Sequence, residues 1–411
     1  MSALAVRARL SSLPTLADVW SGRRNGFGLL RLVFSVGVII EHARPLGFHQ
    51  PEPLKSLSRH QVDLGALCVA GFFLLSGLLI TRSAMRTDLR RFLWARAVRI
   101  LPGFWACLLA TVLVIGPVVA WRSGMSLHDY FTHPEGPWRY LRKNCALAMN
   151  QFGLSGLLAD NPYPKAFDGS LWSLSSEVFC YLVVGGLAAL GILRRNRAVV
   201  LVMLAGAFLF MASLAVKAPH LRANIYAETG HGAYILPLIG WISLNNLLPL
   251  MFMFGLGAAA ELYRERLPIH WAIAAVCAVL FGGSMRFGGF TLIGLPALAY
   301  LIVWAAVRTP SPLTRIGAKA DFSYGLYIYA FPVQQTLVLF HGTRWGFWPY
   351  VALSTAIALG MAACSWYLVE RPTLRLKDKN LDDLTPPFLR RRRKSEAVVA
   401  DAAPEAQLQE A

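Results

Sequence analysis

Long apolar segments separated by polar connections dominate the pattern of this chain. A helix needs about 20 apolar residues to cross the hydrocarbon core of a bilayer, and ten segments come close to that length. They are residues 27–46, 64–81, 100–120, 170–192, 198–217, 238–260, 269–285, 287–307, 321–341 and 347–369. The pattern therefore predicts an all-α fold, a polytopic integral membrane bundle of about ten transmembrane helices.

The composition supports a membrane-embedded domain. Of the 411 residues, 56% are apolar and only 15% are charged, whereas soluble domains usually have about 25% charged residues. We expect one transmembrane domain over residues 27–370, with a cytosolic lead at 1–26 and a basic, partly disordered cytosolic tail at 371–411. The lead is not expected to be a cleavable signal, because the first long apolar segment carries Arg31.

The net charge of +18 is explained by topology. Lys and Arg concentrate in alternate loops, which is typical of the cytosolic side of membrane proteins. Ten spans return both basic termini to the cytosol. Membrane lipids are therefore the expected partners of these basic residues, and no nucleic acid is expected. The basic run at 390–394 is expected to contact anionic headgroups.

No motif of a soluble catalytic domain is present. The six cysteines show neither a paired motif nor a zinc spacing, so no metal site is expected. A nucleophile elbow, a phosphate-binding glycine loop and a dinucleotide fingerprint are also absent. Any chemistry must come from residues within or beside the membrane.

The first apolar segment carries two ionisable residues that lipid disfavours, Arg31 and His42. Eleven residues of helix separate them by about 16 Å, half of a bilayer core. Glu177, in the outer part of the fourth segment, is expected at the depth of His42, where it could orient the imidazole and raise its basicity. The alternative is a charge pair that only locks two helices together. Glu41 is expected to face about 100° away from His42 and to pair with Arg44.

Further candidates lie near these residues. Arg96 and Arg99, beside the third segment, could bind phosphates together with Arg31, or they could simply be positive-inside charge. Ser76 could line a site, although helix packing by small residues explains its segment better. The other candidates for lining a site are Trp172, Ser173, Tyr324 and Tyr327.

Two long outer connections, 121–169 and 218–237, mix aromatic and polar residues, including His220, Tyr226 and His231. Rings stack on sugar faces and polar groups pair with hydroxyls, so this mixture suits a carbohydrate acceptor. An ordinary membrane interface, where aromatic residues are also enriched, has a similar composition.

Taken in order, these motifs resemble membrane acyltransferase family 3, which O-acetylates bacterial surface polysaccharides, O-antigens and nodulation factors. The matching stretches are Arg31 with His42 (Arg-x10-His), residues 71–81, residues 92–102, Ser170–Glu177 (Ser-Leu-Trp-Ser-Leu-Ser-Ser-Glu), Ser323–Tyr327 (Ser-Tyr-Gly-Leu-Tyr) and residues 370–372 (Glu-Arg-Pro). One position departs from the pattern: many relatives carry a histidine where this chain has Ala330.

The resemblance implies an acyl-CoA donor, foremost acetyl-CoA, on the cytosolic side. It implies a hydroxyl of an extracytoplasmic or lipid-linked glycan as acceptor, and polysaccharide-biosynthesis machinery as a partner. It also implies a multi-pass protein of the bacterial inner (plasma) membrane. Arg31 would then help to hold the donor and His42 would act in the transfer. The alternative is a non-enzymatic transporter or flippase for polysaccharide or lipid-linked sugar. Transporters often contain internal repeats, and none is evident here.

Overall fold

The computed structural model describes residues 13–20, 22, 25–217 and 244–378. Within these residues the chain folds into helices and connections, and it forms no β-strand. The all-α prediction is confirmed. The outer connection 218–237, the N-terminal lead as far as residue 12 and the tail from 379 onwards lie outside the described residues.

Ten long helices lie within the described part of the chain, and each coincides with one of the ten apolar segments. They are α1 (Phe27–Gly47), α2 (Leu64–Ala84), α3 (Leu89–Ala110), α4 (Trp172–Ala189), α5 (Ala198–Lys217), α6 (Leu244–Leu262), α7 (Trp271–Phe287), α8 (Leu295–Arg308), α9 (Ser323–Leu339) and α10 (Phe347–Ser365).

Among the described residues, six helical stretches are long and apolar enough to cross a membrane. These stretches are Leu64–Ala84, Leu89–Arg122, Gly169–Ala189, Ala198–Ala215, Phe290–Arg308 and Phe347–Lys377. Helix α1 is not one of them, since Arg31, Glu41 and Arg44 lie along it. A multi-pass membrane protein follows from these helices, whereas ten crossings and two cytosolic termini stay predictions.

Helix α2 lies at the centre of the bundle and packs most extensively on α6. Glycines allow this close approach: a Cβ at Gly77 would lie 1.9 Å from the carbonyl oxygen of Phe254, and a Cβ at Gly257 would lie 2.0 Å from that of Leu74. Small residues let helix backbones approach in the absence of a hydrophobic driving force. The packing interpretation of the second segment is therefore confirmed for Gly77.

Helices α1 and α2 run antiparallel, which allows residues on the two helices to be matched by depth. A Cβ at Gly65 would contact the carboxylate of Glu41, and one at Gly37 would contact the sulfur of Cys68. Further along, a Cβ at Gly71 would contact the ring of Phe34. The level of Glu41 and His42 on α1 thus corresponds to the start of α2, whereas the level of Arg31 corresponds to its middle.

The connection that precedes α4 enters the bundle before the helix begins. Leu154, Phe167, Asp168 and Leu171 are fully buried. The Asp168 carboxylate accepts hydrogen bonds from the hydroxyls of Tyr140 (2.7 Å) and Thr111 (3.0 Å). This connection is thereby tied from within to the short helix Pro137–Asn144 and to the residue that follows α3, so α4 starts below the surface of the bundle.

Candidate functional site

The Arg31 side chain takes part in an ion-pair network at one end of the bundle. Its Nη1 lies 3.2 Å from Oδ2 of Asp321. The same oxygen lies 2.6 Å from Nη2 of Arg99, whose Nη1 lies 3.4 Å from Oε2 of Glu370. The Glu370 side chain is only 2% exposed. A residue before α9 and one after α10 are thus linked to α1 and α3.

The predicted arginines meet around one cavity of about 140 Å³. Residues from α1, α2, α3, α4 and α9 line it, and they include Arg31, Ser76, Arg96, Arg99, Ser173, Glu177, Tyr181, Tyr324 and Tyr327. Eight of the ten candidate residues therefore share this cavity. His42 and Trp172 are not among its lining residues.

Arg96 differs from the other two arginines of the cavity. Its Nε is buried and has no hydrogen-bond partner, and no carboxylate within the described residues forms an ion pair with it. Buried guanidinium groups usually find an anionic or carbonyl partner, because an unpaired one loses its hydration without compensation. This side chain is therefore the cation of the cavity that is most available to a ligand.

Glu177 lies in this cavity and does not contact His42. Its Oε1 accepts hydrogen bonds from Ser76 Oγ (2.7 Å) and from the Tyr181 hydroxyl. The predicted common depth of Glu177 and His42 is wrong. A Cβ at Gly169 would contact the ring of Phe331, and the His42 ring contacts that same ring.

Gly169 rather than Glu177 therefore marks the depth of His42 along this stretch. Eight residues of helical rise place Glu177 about 12 Å further into the bundle. The physical reason is the buried connection before α4. This connection occupies the outer part of the bundle, so the helix starts deeper inside. A sequence segment alone does not reveal this offset.

The carboxylate beside His42 belongs to Glu41. Oε2 of Glu41 lies 3.3 Å from Nε2 of His42, so the prediction that these neighbours face apart is wrong. The Cβ directions of adjacent helical residues do diverge, but the longer glutamate side chain bends back along the helix where Gly65 leaves space. The predicted pairing of Glu41 with Arg44 is also wrong, because Arg44 Nη1 donates to Gln50 Oε1 (2.8 Å).

The other nitrogen of His42 is free. Nδ1 is buried and has no hydrogen-bond partner within the described residues, while the ring lies edge-on to Phe331 at 5.2 Å between centroids. A proton on Nε2 satisfies the contact with Glu41 and leaves Nδ1 as an unprotonated acceptor. The arrangement can therefore accept a proton from a hydroxyl that reaches Nδ1.

A layer of aromatic side chains separates the cavity from His42. Phe72 packs edge-on against Phe34 (5.6 Å) and Tyr327 (5.8 Å). The Tyr327 hydroxyl is fixed by Ser173 Oγ (2.7 Å) and by the carbonyl of Ser170 (2.8 Å). Tyr327 precedes Phe331 by four residues, or about 6 Å of helix, so the inner end of the cavity lies about one turn short of His42.

Sequence reasoning missed several partners of the predicted residues. Asp321, Glu370 and Tyr181 received no role, although each contacts a candidate residue. The sequence did contain a signal for two of them. Asp321 stands at the start of the ninth apolar segment, and Glu370 directly follows the tenth. Their pairing with arginines on other helices depends on tertiary packing.

Two neutralising substitutions distinguish the two carboxylates. We expect Glu41→Gln to lower the rate of acyl transfer at least about tenfold, since it removes the charge that stabilises a protonated His42. We expect Glu177→Gln to change this rate only a few-fold, because an amide oxygen can still accept from Ser76 and Tyr181. Initial rates of the two purified variants check this, and the opposite order would contradict the assignment of Glu41 to His42.

Comparisons with known proteins identify the family of this chain. Residues 24–370 match the acyltransferase family 3 model, described as an acyltransferase domain. The chain is 27% identical over 354 residues to an O-acetyl transferase of Shigella phage Sf6, covering 85% of this chain and 96% of that protein. It is also 27% identical over 380 residues to nodulation protein 10 of Rhizobium leguminosarum bv. viciae, covering 87% of this chain and 95% of that protein. No solved structure matches significantly. The family match spans most of the chain, and the protein belongs to acyltransferase family 3.

Proposed function

We propose that this protein is an inner-membrane O-acyltransferase that moves an acyl group, foremost acetyl, from acyl-CoA to a hydroxyl of an extracytoplasmic or lipid-linked glycan. One observation carries the proposal. Helix α1 presents Arg31 to a cavity that several polar side chains line and, eleven residues further on, a histidine with a buried, unpartnered nitrogen. Family membership and the relative named O-acetyl transferase favour this function over a transporter.

The donor is assigned to the cavity that Arg31 lines. Its dimensions suit the narrow pantetheine arm and the acyl thioester of the donor, since sites for whole drug-sized ligands measure about 300–1,000 Å³. Arg96 offers an unpaired guanidinium to a phosphate or to the thioester oxygen. Ser76, Ser173 and Tyr327 add polar groups along an otherwise apolar wall.

His42 is assigned as the general base. Nδ1 takes the proton of the acceptor hydroxyl while the hydroxyl oxygen attacks the thioester carbonyl carbon. The carbon–sulfur bond then breaks, the thiolate of coenzyme A leaves, and His42 returns the proton to it. Glu41 holds the imidazole in one tautomer and offsets the positive charge that His42 carries between these steps.

The acyl group must pass the layer of Phe72 and Tyr327 to reach His42. Reacting atoms have to approach within about 3.5 Å, and the cavity ends about one helical turn away. A shift of the Phe72 ring from Tyr327 would connect the two parts of the site. The glycan acceptor then approaches from the side of the connection 121–169, where aromatic and polar side chains are exposed.

Reconstitution tests the proposal. The purified protein is placed in lipid vesicles with acetyl-CoA labelled in the acetyl group and with glycan extracted from a strain that lacks the gene. We expect alkali-labile label on the glycan and stoichiometric release of thiol. In cells, deletion of the gene should remove ester groups from the glycan and leave its export intact; lost export with unchanged ester content would instead indicate a transporter.

A further inference from the structure

A second cavity lies beside the first, between the start of α1 and the segment that leads into α9. It has a volume of about 680 Å³ and is lined by Gly28, Leu32, Phe322 and residues 315–321. Gly28 and Gly317 hold this segment against α1: a Cβ at Gly28 would lie 2.6 Å from the carbonyl oxygen of Ile316. Gly317 also has a φ of 72°, which side-chain-bearing residues rarely adopt. The cavity wall is thus defined by backbone contact.

The two cavities meet at the ion pair of Arg31. Ser323 lines both of them. Asp321 lines the larger cavity, and it is bonded to Arg31, which lines the smaller one. A ligand that extends from one cavity into the other would therefore pass the Arg31 guanidinium.

The charges of the two cavities differ. Beside the smaller one, Asp321 and Glu370 pair with Arg31 and Arg99, and Glu177 lines this cavity together with Arg96. The larger cavity has Arg315 and Lys319, both exposed. Neither side chain forms a hydrogen bond or an ion pair within the described residues. Within the described residues, the larger cavity thus offers two cations without an ion-pair partner, whereas Arg96 is the single such cation of the smaller one.

We infer that the larger cavity binds the nucleotide end of the acyl-CoA donor, with Arg315 and Lys319 contacting its phosphates. Coenzyme A has a bulky, phosphorylated adenosine joined to a thin pantetheine arm, and the two neighbouring cavities offer a wide cationic space and a narrow space in that order. The volume of the wide part falls within the range of small-molecule sites. Arginine and lysine are the usual phosphate-binding side chains. This inference rests on the proposed function, because it takes acyl-CoA as the donor.

Binding of unacylated coenzyme A to the protein in neutral-lipid nanodiscs tests the inference without requiring acyl transfer. We expect Arg315→Ala/Lys319→Ala to raise the Kd for coenzyme A by about 10- to 100-fold, since two charge-assisted phosphate contacts are lost. The Kd for pantetheine, which lacks the nucleotide, should not change. In the transfer assay the same variant should raise KM for acetyl-CoA and leave kcat within about twofold.

The matched control is Arg90→Ala/Arg195→Ala, which also removes two exposed positive charges that are predicted to be cytosolic but line neither cavity. An equal loss of affinity in this control would overturn the inference, because long-range attraction would then explain the effect.

Three further outcomes separate the possibilities. Unchanged binding of coenzyme A by the Arg315/Lys319 variant, with normal binding by the unaltered protein, overturns the inference alone. Failure of the unaltered protein to bind coenzyme A overturns the proposed donor as well. A defect that appears only in nanodiscs with anionic lipid, and not with neutral lipid, would assign the cavity to a lipid headgroup phosphate and overturn the nucleotide assignment.

Discussion

His42→Ala is expected to lower the rate of acyl transfer by about 10²–10⁴-fold, the usual contribution of a positioned general base. The imidazole is the acceptor that the site offers to a hydroxyl proton. Its Nε2 is committed to Glu41, whereas Nδ1 is buried without a partner. Alanine leaves the Glu41 carboxylate in place, but this group lies on the opposite side of the ring from Nδ1 and cannot replace it.

The measurement is incorporation of labelled acetyl ester by the purified variant, with its yield in the membrane fraction as a check on insertion. The His42 ring lies beside Phe331 and is 22% exposed, so its loss should not prevent folding. His128→Ala, which removes an exposed imidazole on the connection before α4, is the matched control and should retain full activity. Normal ester formation by His42→Ala would refute the proposed base.

The helices of this protein were predictable because apolar length is a local property. Each of the ten long helices overlaps a predicted apolar segment, although α3 begins eleven residues before its predicted start and α8 begins eight residues after it. Arg31 and His42 stood out for a physical reason as well, since lipid disfavours ionisable groups within a span. The structure places both of them in polar surroundings, Arg31 beside Asp321 and His42 beside Glu41.

The pairing of the carboxylates was not predictable in this way. Glu177 was assigned to His42 from its position within its segment, but the buried connection before α4 shifts the whole helix inward. Glu41 was not assigned to His42 because adjacent residues of a helix point in different directions. A glutamate side chain nevertheless has enough rotatable bonds to reach the neighbouring ring. Both errors depend on a contact with another helix. Gly169, eight residues before Glu177, lies against Phe331 of α9, and Glu41 lies against Gly65 of α2.

The same distinction separates the arginines of the cavity. Arg31, Arg96 and Arg99 were one set in the sequence, as phosphate-binding candidates. In the structure, Arg99 joins two carboxylates, Arg31 joins one, and Arg96 joins none. Their replacement should therefore affect stability in that order, whatever each contributes to the donor.

Arg99→Ala is expected to destabilise the protein by about 3–5 kcal/mol, the usual cost of removing one partner from a buried ion pair. Glu370 would keep a hydrogen bond from Ser365 (3.0 Å) but would lose its cation, and Asp321 would keep Arg31 and its hydrogen bonds from Ser323 but would lose its closer cation. The effect is measured as the change in thermal unfolding temperature of the detergent-solubilised protein. Its monodispersity after heating is the second readout. Arg96→Ala, from the same cavity and helix, is the control and should unfold near the temperature of the unaltered protein.

A second substitution identifies the cause of this loss. If the unpaired carboxylates are responsible, Glu370→Gln in the Arg99→Ala background should recover part of the lost stability, because a neutral amide can be buried at lower cost than a charge. The same Glu370→Gln change in the presence of Arg99 should be destabilising, since it removes an ion-pair partner. Equal unfolding temperatures for Arg99→Ala and Arg96→Ala would contradict this account, and would mean that the network linking α1, α3, α9 and α10 contributes little to holding the cavity together.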